Sequence, residues 1–174
     1  LEIFIKKSNI CDLKNHANHA VIGDGDTQAD IMLIGEAPGA EEDKIGKPFV
    51  GAAGQLLNKM LSAINLDRNK IYITNVIPWR PPNNRTPSND EILQCLPFLQ
   101  KHIELIKPKF IILLGAIAAK SVLSTTHSIS KLRGQWHKYK SLYLNESILC
   151  LATYHPAFLL RSPNYKKQSW EDLQ

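Results

Sequence analysis

The chain has 174 residues, 44% of them hydrophobic, enough to bury a core and of a length that predicts one domain over residues 1–174. No apolar run approaches the about 18 residues a membrane-crossing helix needs, so no membrane partner is expected. Three scattered cysteines, Cys11, Cys95 and Cys150, make a poor disulfide framework and suit a reducing compartment. The opening LEIFIKKSNICDLKNHA has no apolar core followed by a small-residue cleavage site, which points to a cytoplasmic protein. The formal charge of +5 is unevenly spread. Residues 1–100 carry 10 Lys/Arg against 12 Asp/Glu, whereas residues 101–174 carry 11 against 4. That imbalance suits a basic face for a polyanion, although on its own it does not separate DNA from RNA or an acidic protein.

In chain order, ADIMLIG (29–35) reads as a strand leading into the glycine-rich loop GEAPGAEEDKIGKPFVGAAGQ (35–55). QLLNKMLSAI (55–64) has the three- and four-residue apolar spacing of a helix, and KIYITNV (70–76) is a second strand running into IPWRPPNNRTPS. NDEILQCLPFLQKHIELI (89–106) reads as a helix capped by Ser88 or Asn89, with Glu91 in its first turn and Pro97 near its start or kinking it. KFIILLG (109–115) is a third strand with the helical AIAAKSVL behind it. HKYKSLYLNESI (137–148) suggests a hairpin or edge strand, and SILCLAT (147–153) is a fourth strand running into YHPAFLLR. Near-continuous apolar strands alternating with helices predict an α/β fold, a three-layer α/β/α sandwich on a mainly parallel four-stranded sheet. Ligands then bind outside the carboxyl ends of the strands.

The loop at 35–55 matches neither the dinucleotide fingerprint nor the phosphate-binding P-loop, and its four acidic residues are a poor lining for a polyphosphate. Three side chains lie at or just past strand ends: Glu36 after the first strand, Asn75 ending the second and His155 after the fourth. In a parallel sheet they converge on one rim. An asparagine amide can read a base edge that offers C=O beside N–H. Phe49 offers a face for a planar base, and an imidazole can donate to developing negative charge. Taken singly, Asn75 also suits a turn, Phe49 a core and His155 a surface histidine.

Together, GEAPGAEEDKIGKPFVGAAGQLL, YITNVIPWRPPNNRTP and HPAFLLRSP resemble the motifs of the family 4 uracil-DNA glycosylases, in the right order and across about Cys11 to Trp170. The resemblance implies a glycosylase that hydrolyses the N-glycosidic bond of flipped deoxyuridine and begins base excision repair, acting as a monomer on single- or double-stranded DNA. It implies that Phe49 stacks on uracil, that Asn75 reads its O4 and N3–H edge, and that Glu36 and Ala37 lie against the base. His155 stabilises the departing anion near O2, and Glu42 holds or activates water. HPAFLLR becomes the loop that enters the DNA, with Leu159, Leu160 and Arg161 at or near its tip. Arg133, Arg80, Arg85 and Lys14 are candidates for phosphate contacts.

Most members of the family resembled carry a four-iron four-sulfur cluster on four cysteines. The matching positions here are Ser8, Cys11, Trp79 and Cys95, two thiols short of that set. The expectation is a chain without cofactor or metal, its corner plugged by Trp79. A metal on Cys11, Cys95 and His16 or His19 is the alternative. Two other functions stay open on the sequence: a related glycosylase for another damaged base, and a non-catalytic nucleic-acid binder of the same fold.

Overall fold

The computed structural model describes residues 1–141 and 143–174. Six strands, β1 (Asp24–Gly25), β2 (Ile31–Gly35), β3 (Tyr72–Asn75), β4 (Phe110–Leu114), β5 (Trp136–Tyr139) and β6 (Ile148–Thr153), form one sheet in the order β1-β3-β2-β4-β6-β5. The inner four are parallel, with Gly35 beside Asn75, Met32 beside Ile111 and Leu114 beside Thr153. The expected four-stranded sheet is therefore the centre of a six-stranded one. The edges β1 and β5 both run antiparallel to their neighbours. The two-residue β1 has no apolar alternation to betray it, whereas β5 falls at the start of the segment read as an edge strand.

Eight helices surround the sheet among the described residues: α1 (Glu2–Lys7), α2 (Ala40–Ile45), α3 (Ala52–Ala63), α4 (Asn89–Ile106), α5 (Ala116–Leu123), α6 (Ile129–Leu132), α7 (Pro156–Arg161) and α8 (Lys166–Leu173). The two-residue alternation of the strands sorts the core into two layers. Met32, Ile34, Ile111, Leu113 and Ala152 pack with Leu99, Ile103, Ala118 and Val122 of α4 and α5. Leu33, Ile73, Ile112 and Leu114 pack with Leu57 and Leu61 of α3, and Leu173 of α8 lies against them. Strands buried on both faces have no polar face to show, which is why they read as unbroken apolar runs.

Helix α4 begins with a full capping box. Ser88 Oγ accepts from the Glu91 N–H at 3.2 Å while Glu91 accepts from the Ser88 N–H at 2.7 Å. Arg85 adds a two-pronged ion pair at 2.6 and 2.8 Å, and its hydrogen bonds hold the Glu91 carboxyl down at about 2. Pro97 is not near the start: it is the ninth of the helix's 18 residues, and the helix continues through it. The carbonyl left without a donor is that of Leu93, and both residues lie on the exposed side, where water can serve it.

HPAFLLR, expected to be a loop, is mostly helix α7. Pro156 takes the first helical position, the His155 ring caps the helix, and Leu159 is buried at 1% exposure. The corner where the resemblance places a cluster is built from Cys11, Cys95 and Trp79, all in one apolar cluster with Phe98 and Leu13. The Trp79 ring meets the edge of Phe98 at 6.1 Å, and Phe98 meets Phe4. Burial first, and then the neighbouring Cys11, push the Cys95 thiol well above its ordinary range. Two buried thiols packed in one cluster with an indole do not fit a metal cluster that needs four thiolates. Nor do three His, Cys, Asp or Glu side chains meet as a metal-ligand group anywhere among the described residues. His19, one of the two histidines considered as a third ligand, instead bonds the Asp43 carbonyl at 2.6 Å.

Trp79→Ala should lower the unfolding free energy by about 3–5 kcal/mol in urea denaturation, the cost of emptying a buried indole site. Iron and acid-labile sulfide analysis of the wild-type chain should find no stoichiometric cluster, and one cluster per chain would refute this account of the corner.

Candidate active site

The carboxyl ends of β2, β3, β4 and β6 open into a cavity of about 510 Å³. Glu36, Ala37, Glu42, Phe49, Asn75 and His155 all line it, so the rim convergence expected from the strand ends is realised. Arg85 and Arg161 also contribute to its wall.

Asn75, the last residue of β3, is 6% exposed. Its Oδ1 is buried, and among the described residues it is the one buried side-chain nitrogen or oxygen without a hydrogen-bond partner. An orphaned acceptor costs roughly 1–3 kcal/mol and marks a place where a donor belongs. Gly35 stands beside it in register. A Cβ there would lie 2.4 Å from Asn75 Oδ1 and 2.6 Å from Phe49 Cζ, so the missing side chain is what lets amide and aromatic ring share one wall. Phe49 itself sits at φ 53°, a left-handed backbone that bulky residues seldom adopt. Its ring stacks near the His155 ring, with centroids 5.6 Å apart and planes 29° from parallel.

His155 carries the clearest electrostatic signature. Its Nδ1 accepts the Ala157 N–H at 3.1 Å as the cap of α7, so Nδ1 holds a lone pair and the neutral ring carries its proton on Nε2. Burial, then the positive charge of Arg161, push its pKa down to about 4 against a weaker opposing pull from Glu42. Gly115, at φ 92°, directly follows β4 behind it, and a Cβ there would stand 2.9 Å from His155 Cβ. This glycine was missed in the sequence. Its signal was a glycine closing an apolar strand directly before a helix.

Glu42, on α2, gives Oε1 to the N–H groups of Val50 and Gly51 at 2.9 and 2.8 Å, so at most its other oxygen is left to hold water. Glu36 is partly buried, and its carboxyl pKa is raised by that burial against the opposing charge of Arg161. Its backbone carbonyl is engaged by the Ile77 N–H.

The expected DNA contacts divide. Arg161 and Leu160 are exposed at the end of α7 beside the cavity, but Leu159 belongs to the core and has no surface to offer DNA. Arg133 is also drawn inward. It pairs with Asp172 at 2.6 Å, donates to the Gln168 carbonyl and lies over the Tyr154 ring at 5.5 Å. Its side chain is 18% exposed, and its Nε and Nη2 are engaged by the C-terminal helix. Arg80 bonds Asn84 at 2.7 Å, Lys14 bonds Asn9 at 2.9 Å, and the exposed Arg85 is held by Glu91 at the cavity mouth.

Residues 22–174 match the family described as the uracil DNA glycosylase superfamily. The chain is 45% identical over 169 aligned positions to a type-4 uracil-DNA glycosylase of Sulfurisphaera tokodaii, covering 94% of this chain and 76% of that one. It is 41% identical over 177 aligned positions to a type-4 uracil-DNA glycosylase of Pyrobaculum aerophilum, covering 99% and 89%. It is also 43% identical over 175 aligned positions to one of Saccharolobus solfataricus, covering 98% and 80%. With this rim, this cavity and these near full-length relatives, the chain belongs to the uracil-DNA glycosylase superfamily and, within it, to the type-4 family.

Proposed function

We propose that this chain is a uracil-DNA glycosylase that hydrolyses the N-glycosidic bond of deoxyuridine turned out of DNA, the activity named for its relatives. The observation that carries the proposal is the unpartnered Asn75 Oδ1, buried in a cavity that also holds an aromatic ring and a neutral histidine donor. Uracil supplies what is lacking: its N3–H donates to Oδ1 while its O4 accepts from the amide nitrogen. Cytosine has an acceptor at N3 and a donor at C4, so both contacts fail, the type of mismatch that rejects a ligand by orders of magnitude.

Duplex DNA buries the sugar–base bond, so the nucleotide is first rotated into the cavity, where Phe49 stacks on the ring and Glu36 and Ala37 border it. The C1′–N1 bond then breaks with its electron pair passing to N1. The sugar is left electron-poor and the base anionic, with charge spread onto O2. The Nε2–H of His155 donates to O2. A neutral imidazole already holding its proton there is suited to this task without any change of protonation. Water adds to C1′ and loses a proton, giving free uracil and an abasic sugar. Glu42 is the candidate to hold that water with the oxygen not bound to Val50 and Gly51. Arg161 and Leu160 are the contacts of choice for the DNA backbone and the emptied stack, joined by Arg85 and Arg80. We further propose that a single domain over residues 1–174 acts as a cytoplasmic monomer. The scattered free cysteines support a reducing compartment, and among the described residues no helix is long and apolar enough to cross a membrane.

The direct test is release of free base from oligonucleotides carrying uracil, mismatched thymine or hypoxanthine. Uracil should be released preferentially, and an inactive wild-type chain would reject the proposal. His155→Ala and Asn75→Ala should each lower single-turnover excision by about two to three orders of magnitude, with DNA affinity changed far less. Because the folded-state pKa of His155 is depressed to about 4, excision should have no inflection at the ordinary histidine value of 6.5. His102 is depressed to about 4 as well, so the unfolded chain takes up these two protons more readily than the folded one. Stability from both is thus whole above 6.5 and is lost as pH falls from 6.5 toward 4, which acid titration of unfolding can follow. Arg161→Ala should weaken DNA binding and reduce the log–log salt slope by about one, whereas Arg133→Ala should leave that slope alone and cost stability, about 3 kcal/mol, by stranding buried Asp172.

A further inference from the structure

We propose that Arg68 is a positioning residue for excision: with Glu42 on the opposite side, its guanidinium clamps the turn that presents the Phe49 ring to the base. The inference rests on the reading of Phe49 as the surface on which uracil stacks.

Arg68 opens the short 3-10 turn Arg68–Lys70 just before β3, and it is not part of the cavity wall. Its Nη1 donates to the Phe49 carbonyl at 2.9 Å and to Asn58 Oδ1 on α3 at 3.0 Å. Its Nη2 donates to the Pro48 carbonyl at 2.7 Å and reaches Asp24 at 3.4 Å, while Lys47 holds the other oxygen of Asp24 at 3.1 Å. From the other side, Glu42 Oε1 takes the N–H groups of Val50 and Gly51. The peptide joining Phe49 to Val50 is therefore gripped at both ends, its oxygen by a cation and its N–H by an anion. The carbonyl before it and the amide after it are held by the same two side chains.

That grip falls on the residue that needs it. At φ 53° the Phe49 Cβ crowds its own backbone, a conformation that persists only where surrounding bonds over-determine it. Neither the two carbonyls nor the two amides belong to a helix or strand ladder, so the charged side chains are what fixes the plane of the turn. A guanidinium suits the task because its planar fork spans two successive carbonyls and still reaches Asn58 and Asp24. An ammonium can keep the charge but not that geometry. The arginine side chain is 20% exposed and balanced by Asp24, so the charge is neither stranded nor free to serve DNA.

The test is a double-mutant cycle in single-turnover excision of uracil from a single-stranded oligonucleotide, using wild type, Arg68→Lys, Phe49→Ala and the double mutant. Arg68→Lys should slow excision about ten- to hundredfold, in the range that a small misplacement of a positioning group produces, and should weaken inhibition by free uracil. In the Phe49→Ala background the same substitution should change the rate by less than about twofold, because the ring through which it acts is gone. Losses that multiply in the double mutant would assign Arg68 a merely structural part and overturn the inference. Should Arg68→Lys fold poorly, Asp24→Asn loosens the same guanidinium more gently, with a smaller loss and the same failure to multiply expected. If Phe49→Ala excises uracil at the wild-type rate, the stacking reading itself falls. If Phe49→Ala is slow while Arg68→Lys and Asp24→Asn are not, the clamp alone falls.

Discussion

A buried acceptor without a protein donor is the constraint around which this molecule is arranged. Asn75 Oδ1 sits at the end of a central strand, shut off from solvent, on a residue that lines the cavity. A fold tolerates such an atom only where its cost is offset by packing elsewhere and, in the working state, by a ligand. The neighbouring features follow from that requirement. Gly35 gives up its side chain so that the amide and the Phe49 ring can share a wall. The adjacent strand ends bring Glu36 and His155 to the same opening. The parallel sheet supplies the convergence, since four strands running the same way end on one rim.

In the proposed reaction the histidine solves a second problem, that of keeping a donor aimed at charge that exists only while the bond is breaking. A freely rotating imidazole near its ordinary pKa samples two tautomers and a cation. Here one nitrogen is occupied by the Ala157 N–H, and burial together with Arg161 disfavours the cation, leaving a single neutral form with its proton on Nε2. The same ring caps α7, so the short helix and the tautomer are fixed by one contact. Positive charge from Arg161 acts in two directions. It lowers the basicity of the ring, and it makes the cavity more hospitable to an anionic leaving group, which reduces the need for a protonated histidine.

Much of this is legible in the amino-acid sequence, and what is not legible there has physical causes. The central strands were legible because residues buried on both faces leave unbroken apolar runs, and α4 because Ser88 and Glu91 stand at capping-box spacing. The gathering of Glu36, Asn75 and His155 was legible because parallel strands bring their ends together, whereas Phe49, in mid-loop, was placed beside them by the family resemblance. What escaped were properties that depend on partners distant in sequence. Asp24 and Gly25 of β1 form a strand only because β3 lies beside them. HPAFLLR is short enough to pass for a loop, yet a proline at the first helical position and a capping imidazole make it helical, turning Leu159 into core. Arg133 looks like any surface cation until Asp172, 39 residues later, folds back to meet it. Arg68 gave no motif at all, because its carbonyl partners are backbone atoms that any sequence supplies.

Trp79 connects the corner resembling a cluster site to the chemistry. It lies four residues after Asn75, within a run of buried chain, Val76 to Trp79, that carries the backbone away from the cavity. Pro78 is tied to the N-terminal segment through the Val21 N–H at 2.7 Å, and the chain then returns toward the opening through Pro81, Asn84 and Arg85. Whatever fills that corner therefore sets where one side of the cavity mouth stands. Four thiolates around iron could do so by coordination. An indole in edge contact with Phe98 does so by packing, which needs no metal supply and no oxidation-sensitive ligands but depends on complete burial. The two arrangements fail differently. A cluster is lost by chemistry, whereas a packed tryptophan is lost only when the core around it opens, so in this chain the stability of α4 and the placement of the cavity rim are coupled through the same side chains.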